Sequence, residues 1–395
     1  MAKPASGQPT SMIEETKSIL GDLIAFPTVS ADSNLDLVDY AANRLDACGT
    51  KVWVWHDASA SKANLFATIG PERGDGIVLS GHTDVVPAVA DDWTSNPFEM
   101  REANGRLYGR GACDMKGFLA AALAMAPRFA ASDLARPVHF SLTYDEEVGC
   151  LGAQQLVKEL ARRDIRPAVA IVGEPTEMRI IEGHKGCYEY TTEFTGLAGH
   201  GSEPDRGVNA IDYAVRYVAR LLELGDELKQ RPRPASRYEP QWTTVQVGHI
   251  AGGIARNVIA AHCTVEWEMR PVETRDADYV KAQLGAYCSE VLLPQMRVRA
   301  PQADIQTRVI AEVGSLETMP DNEARALVAE LTGCNDADVV SFGTEAGLFQ
   351  DLGASAVVCG PGSIAQAHKP DEFVTVSQLQ ACLDMLEGLN AKLRA

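Results

Sequence analysis

His82, Asp84, Asp114, Asp145-Glu146-Glu147, Glu174 and His368 are the residues of this chain whose types could do chemistry together. Imidazoles with carboxylates suit the binding of divalent cations, and a carboxylate left over can move a proton. His82 follows Ile77-Val-Leu-Ser80 and Gly81, a short apolar run bounded by turn residues, which suits a strand buried on both faces. In an open α/β sheet ligands bind at the carboxyl ends of the strands, which is where His82 falls. Asp84 is placed to hydrogen-bond the imidazole and fix which nitrogen faces a metal. Asp114 stands directly before an apolar helical pattern from about Gly117 to Phe129. Taken singly, His82 reads as a packed histidine and Asp114 as a helix cap; only the set together points to a metal site.

The elements that must position the set repeat one pattern. Val138 to Thr143 reads as a strand and runs into Tyr144-Asp-Glu-Glu147, three consecutive carboxylates that repel and call for a compensating positive charge. A helix over Leu151 to Arg162 leads to the strand Val169 to Val172, and Glu174 waits beyond it. Strands alternating with helices, each handing over to a ligand-type residue, predict an α/β catalytic domain with a mixed, mostly parallel sheet between helices. Ser11 with Glu14 matches a capping box for an N-terminal helix, and Met1 to Thr10 reads as a loose tail.

From about His184 the texture changes. Tyr188 to Phe194, Thr243 to Ile250 and Cys263 to Met269 alternate as strands with one open face. The helix from Asn209 to Leu224 carries Ile211, Ala214, Val215, Val218 and Leu222 on one side, and another helix runs from about Asp276 to Leu292. This order predicts an inserted α+β, ferredoxin-like sandwich over residues 184–299, with 1–183 and 300–395 forming the metal-binding domain. The first domain's texture resumes with a helix over Asn322 to Leu331, a glycine-flanked loop Ser341 to Gly347, a strand from Ala356 to Cys359, Ala367-His-Lys-Pro-Asp-Glu372, and a closing helix from Val376 to Leu389.

Composition narrows the function class. At 395 residues the chain exceeds one hydrophobic core, and 46% hydrophobic with 23% charged residues is globular. A net charge of −18 excludes nucleic acid and anionic membrane as partners, because either demands a basic face. No apolar run is long enough to span a membrane, and the first residues lack the apolar core of a secretion signal, so a cytoplasmic protein is expected. Nine scattered cysteines without a C-x-x-C spacing indicate neither a disulfide framework nor a cysteine zinc site.

His82, Asp114, Glu147, Glu174 and His368 are the candidate ligands, two imidazoles and three carboxylates, which suits two divalent ions sharing one carboxylate. Zinc accepts this donor set with a position left open for water, and cobalt or manganese would also fit. Such a pair lowers the pKa of a water and polarises a carbonyl, leaving Glu146, beside a ligand, as general base.

With these motifs in hand the chain resembles the zinc metallopeptidase family that includes succinyl-diaminopimelate desuccinylase, aminoacylase and carboxypeptidase G. The matching runs are Ser80-Gly-His-Thr-Asp84, Gly109-Arg-Gly-Ala-Cys-Asp-Met-Lys-Gly117, Asp145-Glu-Glu147, Gly173-Glu-Pro175 and Ala367 to Glu372. The resemblance implies two Zn2+ per chain, with Co2+ as a substitute. Asp114 would bridge, His82 and Glu174 would hold one ion, and Glu147 and His368 the other. It further implies Glu146 as base, Asp84 as support of His82, and the inserted domain as a lid through which two chains form a homodimer. His200 matches the lid histidine that steadies an oxyanion, and Asn257 and Arg270 match lid positions that bind a substrate carboxylate. Within the family, Ser341 to Ala346 and Gly360 to His368 look most like the branch acting on an N-acetylated diamino acid. Thr344-Glu345 is the discriminating feature, and Glu345, an acid in a glycine-flanked loop, is expected to hold a substrate ammonium. The substrate expected is a small N-acyl amino acid, with succinyl-diaminopimelate or a dipeptide as alternatives. A binding module that has lost catalysis is disfavoured because all five ligands and the base are present.

Overall fold

A computed structural model describes residues 11–231 and 236–395, so the tail Met1 to Thr10 lies outside the described residues. The chain divides into two compact units, one of Met1–Glu182, Thr318–Asp338 and Thr344–Ala395, the other of Gly183–Glu317 and Val339–Gly343.

The first unit is built on an eight-stranded sheet. Its strands in chain order are β1 (Lys51–His56), β2 (Ala63–Ile69), β3 (Ile77–His82), β4 (Val138–Thr143), β5 (Val169–Val172), β6 (Ile180–His184), β7 (Ala337–Val340) and β8 (Ser355–Val358). Across the sheet they stand in the order β1-β2-β4-β3-β5-β8-β6-β7. β4, β3, β5 and β8 run parallel, and the β1 and β2 pairings are antiparallel. Every residue of β3, β4 and β5 is buried, as expected of parallel strands covered on both faces.

Helices flank that sheet: α1 (Met12–Ala25), α2 (Leu35–Asp46), α3 (Lys116–Ala130), α4 (Leu151–Arg162), α5 (Glu323–Thr332) and a closing α6 (Val376–Lys392). α3 is apolar all round because it is buried on nearly every side, packed against α1, α6 and the strands. Leu65, Leu79, Phe140, Leu142 and Ile171 share one core with Phe118, Leu119, Leu123, Leu379 and Leu383 of α3 and α6. Strand residues of the other parity point to the opposite face, and α4, which contacts β2 and β4, buries Leu156 and Leu160. Among the described residues no helix is long and apolar enough to cross a membrane.

In the second unit a four-stranded antiparallel sheet has the order Thr244–Gly252, His262–Arg270, Cys187–Thr195, Asp304–Val313. Helices Ala210–Lys229 and Thr274–Ala286 pack on one face, giving the β-α-β-β-α-β order of a ferredoxin-like sandwich. Cys263, Val265, Trp267 and Met269 point inward, and the Trp267 and Tyr190 rings stack with centroids 4.4 Å apart. Two expectations are corrected here. The unit extends to Glu317 rather than 299, because Asp304–Val313 pairs with Cys187–Thr195; exposed Val309 and Ile310, beside a register shift between Val309 and Ala311, hide the alternation that marks a strand. The buried stripe of the first helix is Ala214, Tyr217, Leu221, Leu224 and Leu228, so Val215 and Leu222 are exposed. The aromatic Tyr217 and the leucines at helical spacing outrank the valine in area buried.

Candidate metal centre

Four segments of the first unit converge at the carboxyl edge of β3, β4 and β5. His82 is the last residue of β3, Asp145-Glu146-Glu147 follow β4 closely, Glu174 follows β5, and Asp114 precedes α3. A fifth, the loop before α6, brings His368. Asp114 lies in the middle. Its Oδ1 is 3.0 Å from His82 Nε2, and its Oδ2 is 3.4 Å from His368 Nε2. His82 Nε2 is also 3.7 Å from Glu174 Oε1, and His368 Nε2 is 3.0 Å from Glu147 Oε2. The five candidate ligands therefore fall into two arms about one carboxylate. Ligand-type atoms of His82, Asp114 and Glu147 lie within 4.8 Å of one another, as do those of His82, Glu146 and Glu174.

Close approach is what lets the strand ends meet. A Cβ on Gly173 would stand 1.9 Å from the buried Phe118 ring, and one on Gly360 would stand 2.0 Å from the Gly173 carbonyl oxygen, so glycine is required before Glu174. His368 and Asp145 both take left-handed backbone conformations, with φ of 61° and 54°, and each needs surrounding contacts to hold it there.

The electrostatics describe a cluster short of positive charge. Burial works against a charged His82, but hydrogen bonding to Asp114 and Asp84 and the charges of Glu174 and Glu146 outweigh it and hold the imidazole well above its usual range. Hydrogen bonds to Asp114 and Glu147 raise His368 to about 10. Burial pushes Glu146 up to about 8, and it raises Glu147 and Glu174 as well. Burial opposes ionisation of Asp114 too, yet the two histidines hold its carboxyl below the usual range. Divalent cations would supply the missing charge directly. The buried Glu174 Oε1 has no hydrogen-bond partner in the protein, so it has a lone pair to give. Nitrogen and oxygen donors with the His368 side chain 53% exposed make an open site, so the residues present fit metal ions of the catalytic kind.

Several supports differ from expectation. The Nδ1 of His82 bonds the main-chain oxygen of Asp84 at 2.9 Å, while the Asp84 carboxylate is 3.6 Å away. That carboxylate instead accepts from Ser30 Oγ at 2.7 Å and from the backbone N–H groups of Glu146 and Glu147, tying the end of β3 to the acidic segment. The positive charge sought for the carboxylate run is Lys62, whose Nζ meets Asp145. Glu345 is the clearest correction. It is fully buried, with Oε1 accepting from Ser80 Oγ and Oε2 from Thr143 Oγ1, so it does not face a substrate ammonium. Thr344 is buried too, its hydroxyl accepting from Ala346 N–H.

Sequence reasoning missed Ser30, Lys62, Arg110 and Glu372. The last two lie inside runs already singled out, and only their burial, at 3% and 1% exposure, marks them as structural. The Arg110 guanidinium lies over the Trp93 ring, 5.1 Å from its centroid.

In the second unit His200 is exposed and its Nδ1 contacts Ser202 Oγ at 2.7 Å. Asn257 is beside it in space, because His200 pairs with Val258 and the Asn257 carbonyl accepts from Gly201 N–H. Arg270 ends its strand half-buried and is held by Glu268 at 2.7 Å.

Residues 78–392 match the family described as peptidase family M20/M25/M40. An acetylornithine deacetylase of Myxococcus xanthus is 38% identical over 372 residues, covering 93% of this chain and 94% of that protein. Among solved structures, an M20 family metallo-carboxypeptidase of Sulfolobus solfataricus has a TM-score of 0.73 at 18% identity, covering 96% of this chain and 99% of its own. A dinuclear metal-binding peptidase of Bacillus subtilis from the same family has a TM-score of 0.63 at 15% identity, covering 97% and 98%. At those identities the two structures speak to the fold alone.

Proposed function

The chain belongs to peptidase family M20/M25/M40, and from that premise we propose that it hydrolyses N2-acetyl-L-ornithine to L-ornithine and acetate. The observation that carries the hydrolase reading is the two-armed cluster of five ligand-type residues about Asp114, with Glu146 beside it and not needed as a sixth ligand. The choice of acetylornithine rests on relatives that bear that name, since the burial of Glu345 removes the argument from a substrate ammonium.

His82 and Glu174 would hold one ion, His368 and Glu147 a second, and Asp114 both. Two zinc ions, or cobalt in their place, would polarise the amide carbonyl and acidify the attacking water. Glu146 takes a proton from that water as it adds to the carbonyl carbon, then delivers it to the ornithine nitrogen as the C–N bond breaks. Asp84 fixes the Glu146 and Glu147 backbones from the end of β3.

The family resemblance supports three further assignments. His200 donates to the oxyanion, and Asn257 and Arg270 bind the substrate α-carboxylate, with Arg270 giving up its bond to Glu268 in exchange. Two chains form a homodimer through the inserted unit, and the enzyme works in the cytoplasm on a small N-acyl amino acid.

The test is an assay of zinc-loaded protein against acetylornithine, other N-acetyl amino acids, succinyl-diaminopimelate and dipeptides. The highest kcat/KM on acetylornithine is expected. A higher value on any other substrate would move the assignment to that one.

A further inference from the structure

Arg110 and Glu372 form a buried ion pair beneath the Asp114 loop, with Arg110 Nη1 2.7 Å from Glu372 Oε2. The same carboxylate receives three backbone N–H groups of that loop. Gly111 N–H donates to Oε2 at 3.0 Å, and Cys113 and Asp114 N–H donate to Oε1 at 2.8 and 3.0 Å. Glu372 also closes the loop that carries His368, and its main-chain oxygen accepts from Gly109 N–H at 3.0 Å. Trp93 covers the outer face of the Arg110 guanidinium.

Four donors on one buried carboxylate leave it little freedom, and what it joins are two segments that each supply a cluster residue. Asp114 is bonded at its own N–H. His368 lies four residues before Glu372 in a strained left-handed conformation, exposed to solvent, with no regular element to hold it. His82 and Glu174 differ, since each is fixed at or just beyond the end of a central parallel strand.

We propose that Glu372, seated by Arg110, is a positioning residue that holds the Asp114 and His368 loops together and thereby sets the affinity of the Asp114–Glu147–His368 arm. This rests on the proposed two-ion reading of the cluster. The first ion would take only the shared Asp114 from a clamped loop and its other ligands, His82 and Glu174, from strand ends, whereas the second would take both Asp114 and His368 from clamped loops.

The test titrates metal-free protein with Co2+ and follows visible absorption and calorimetric stoichiometry for wild type, Glu372→Ala, Glu372→Gln and Arg110→Met. Wild type should take two equivalents. Glu372→Ala should bind the second about 10 to 100-fold more weakly, the usual effect of removing a group that orients metal ligands, and weaken the first, which shares only Asp114 with the clamped loops, by clearly less. Glu372→Gln, which keeps one amide acceptor, and Arg110→Met should fall between and serve if the alanine variant folds poorly. Equal weakening of both equivalents, or two equivalents bound as in wild type, would overturn the proposal while leaving the two-ion reading intact. A wild type that binds only one equivalent would overturn both.

Discussion

The hydroxyl of Ser80 donates to Glu345 at 2.6 Å, joining β3 to a loop 265 residues further along the chain. Thr143 of β4 donates to the other oxygen at 2.7 Å, so one carboxylate links the ends of two neighbouring parallel strands just before His82 and Asp145. Glu345→Leu would leave two buried hydroxyls without an acceptor. We expect a loss of about 1 to 3 kcal/mol in stability per hydroxyl, read from urea unfolding. Activity on acetylornithine and acetylmethionine should fall together. A loss confined to acetylornithine would return Glu345 to the substrate pocket.

Glu146→Gln keeps the shape of the side chain and removes the base. kcat should drop by about 10² to 10⁴-fold while Co2+ stoichiometry is unchanged. Turnover near wild type would assign the proton transfer elsewhere.

His200→Ala should lower kcat more than it raises KM, because an oxyanion donor acts chiefly in the transition state. An effect limited to KM would make His200 a residue that positions the ground-state substrate.

His139 predicts an acid sensitivity. Burial in β4 lowers its pKa to about 4, against about 6.5 in the unfolded chain. The folded value is the lower one, so its contribution is complete above pH 6.5 and is lost as pH falls towards 4, at about 1.4 kcal/mol per pH unit for this proton. His139→Gln should flatten the pH dependence of the unfolding free energy across that window by one proton. An unchanged slope would show that His139 titrates normally in the fold.

Gly173→Ala places a methyl inside the Phe118 ring position. Overpacking of about 1 to 3 kcal/mol is expected as a drop in unfolding free energy. Phe118→Leu in the same chain should recover part of it, and strict additivity of the two substitutions would refute the contact.

Where the sequence was legible, chemistry and periodicity pointed the same way. β5 is an uninterrupted apolar run and β3 and β4 are largely apolar, and the acids and imidazole at their ends are types that a core rejects without a reason, so the strands and His82, Glu147 and Glu174 could be read together. His368 has no such frame and was found through its motif. Glu345 was misread because burial of a charge is decided by partners far away in sequence, here Ser80 and Thr143, which no local pattern discloses. Glu372 was overlooked for the same reason, its donors lying more than 250 residues away. Strand Asp304–Val313 escaped because a strand at a sheet edge with one solvated face carries little periodicity.

β5 takes β3 on one side and β8 on the other, and β8 is made only after the whole inserted unit has been synthesised. On the ribosome, β1 to β5 can pair as soon as they emerge, leaving Val169-Ala-Ile-Val172 as an open apolar edge until the last part of the chain arrives. The second unit, with its own closed cluster, can fold during that wait. Nascent chains are thus exposed to edge-to-edge association for the length of one domain's translation, and slowing elongation within residues 183–317 should raise their dependence on chaperones that shield unpaired strands.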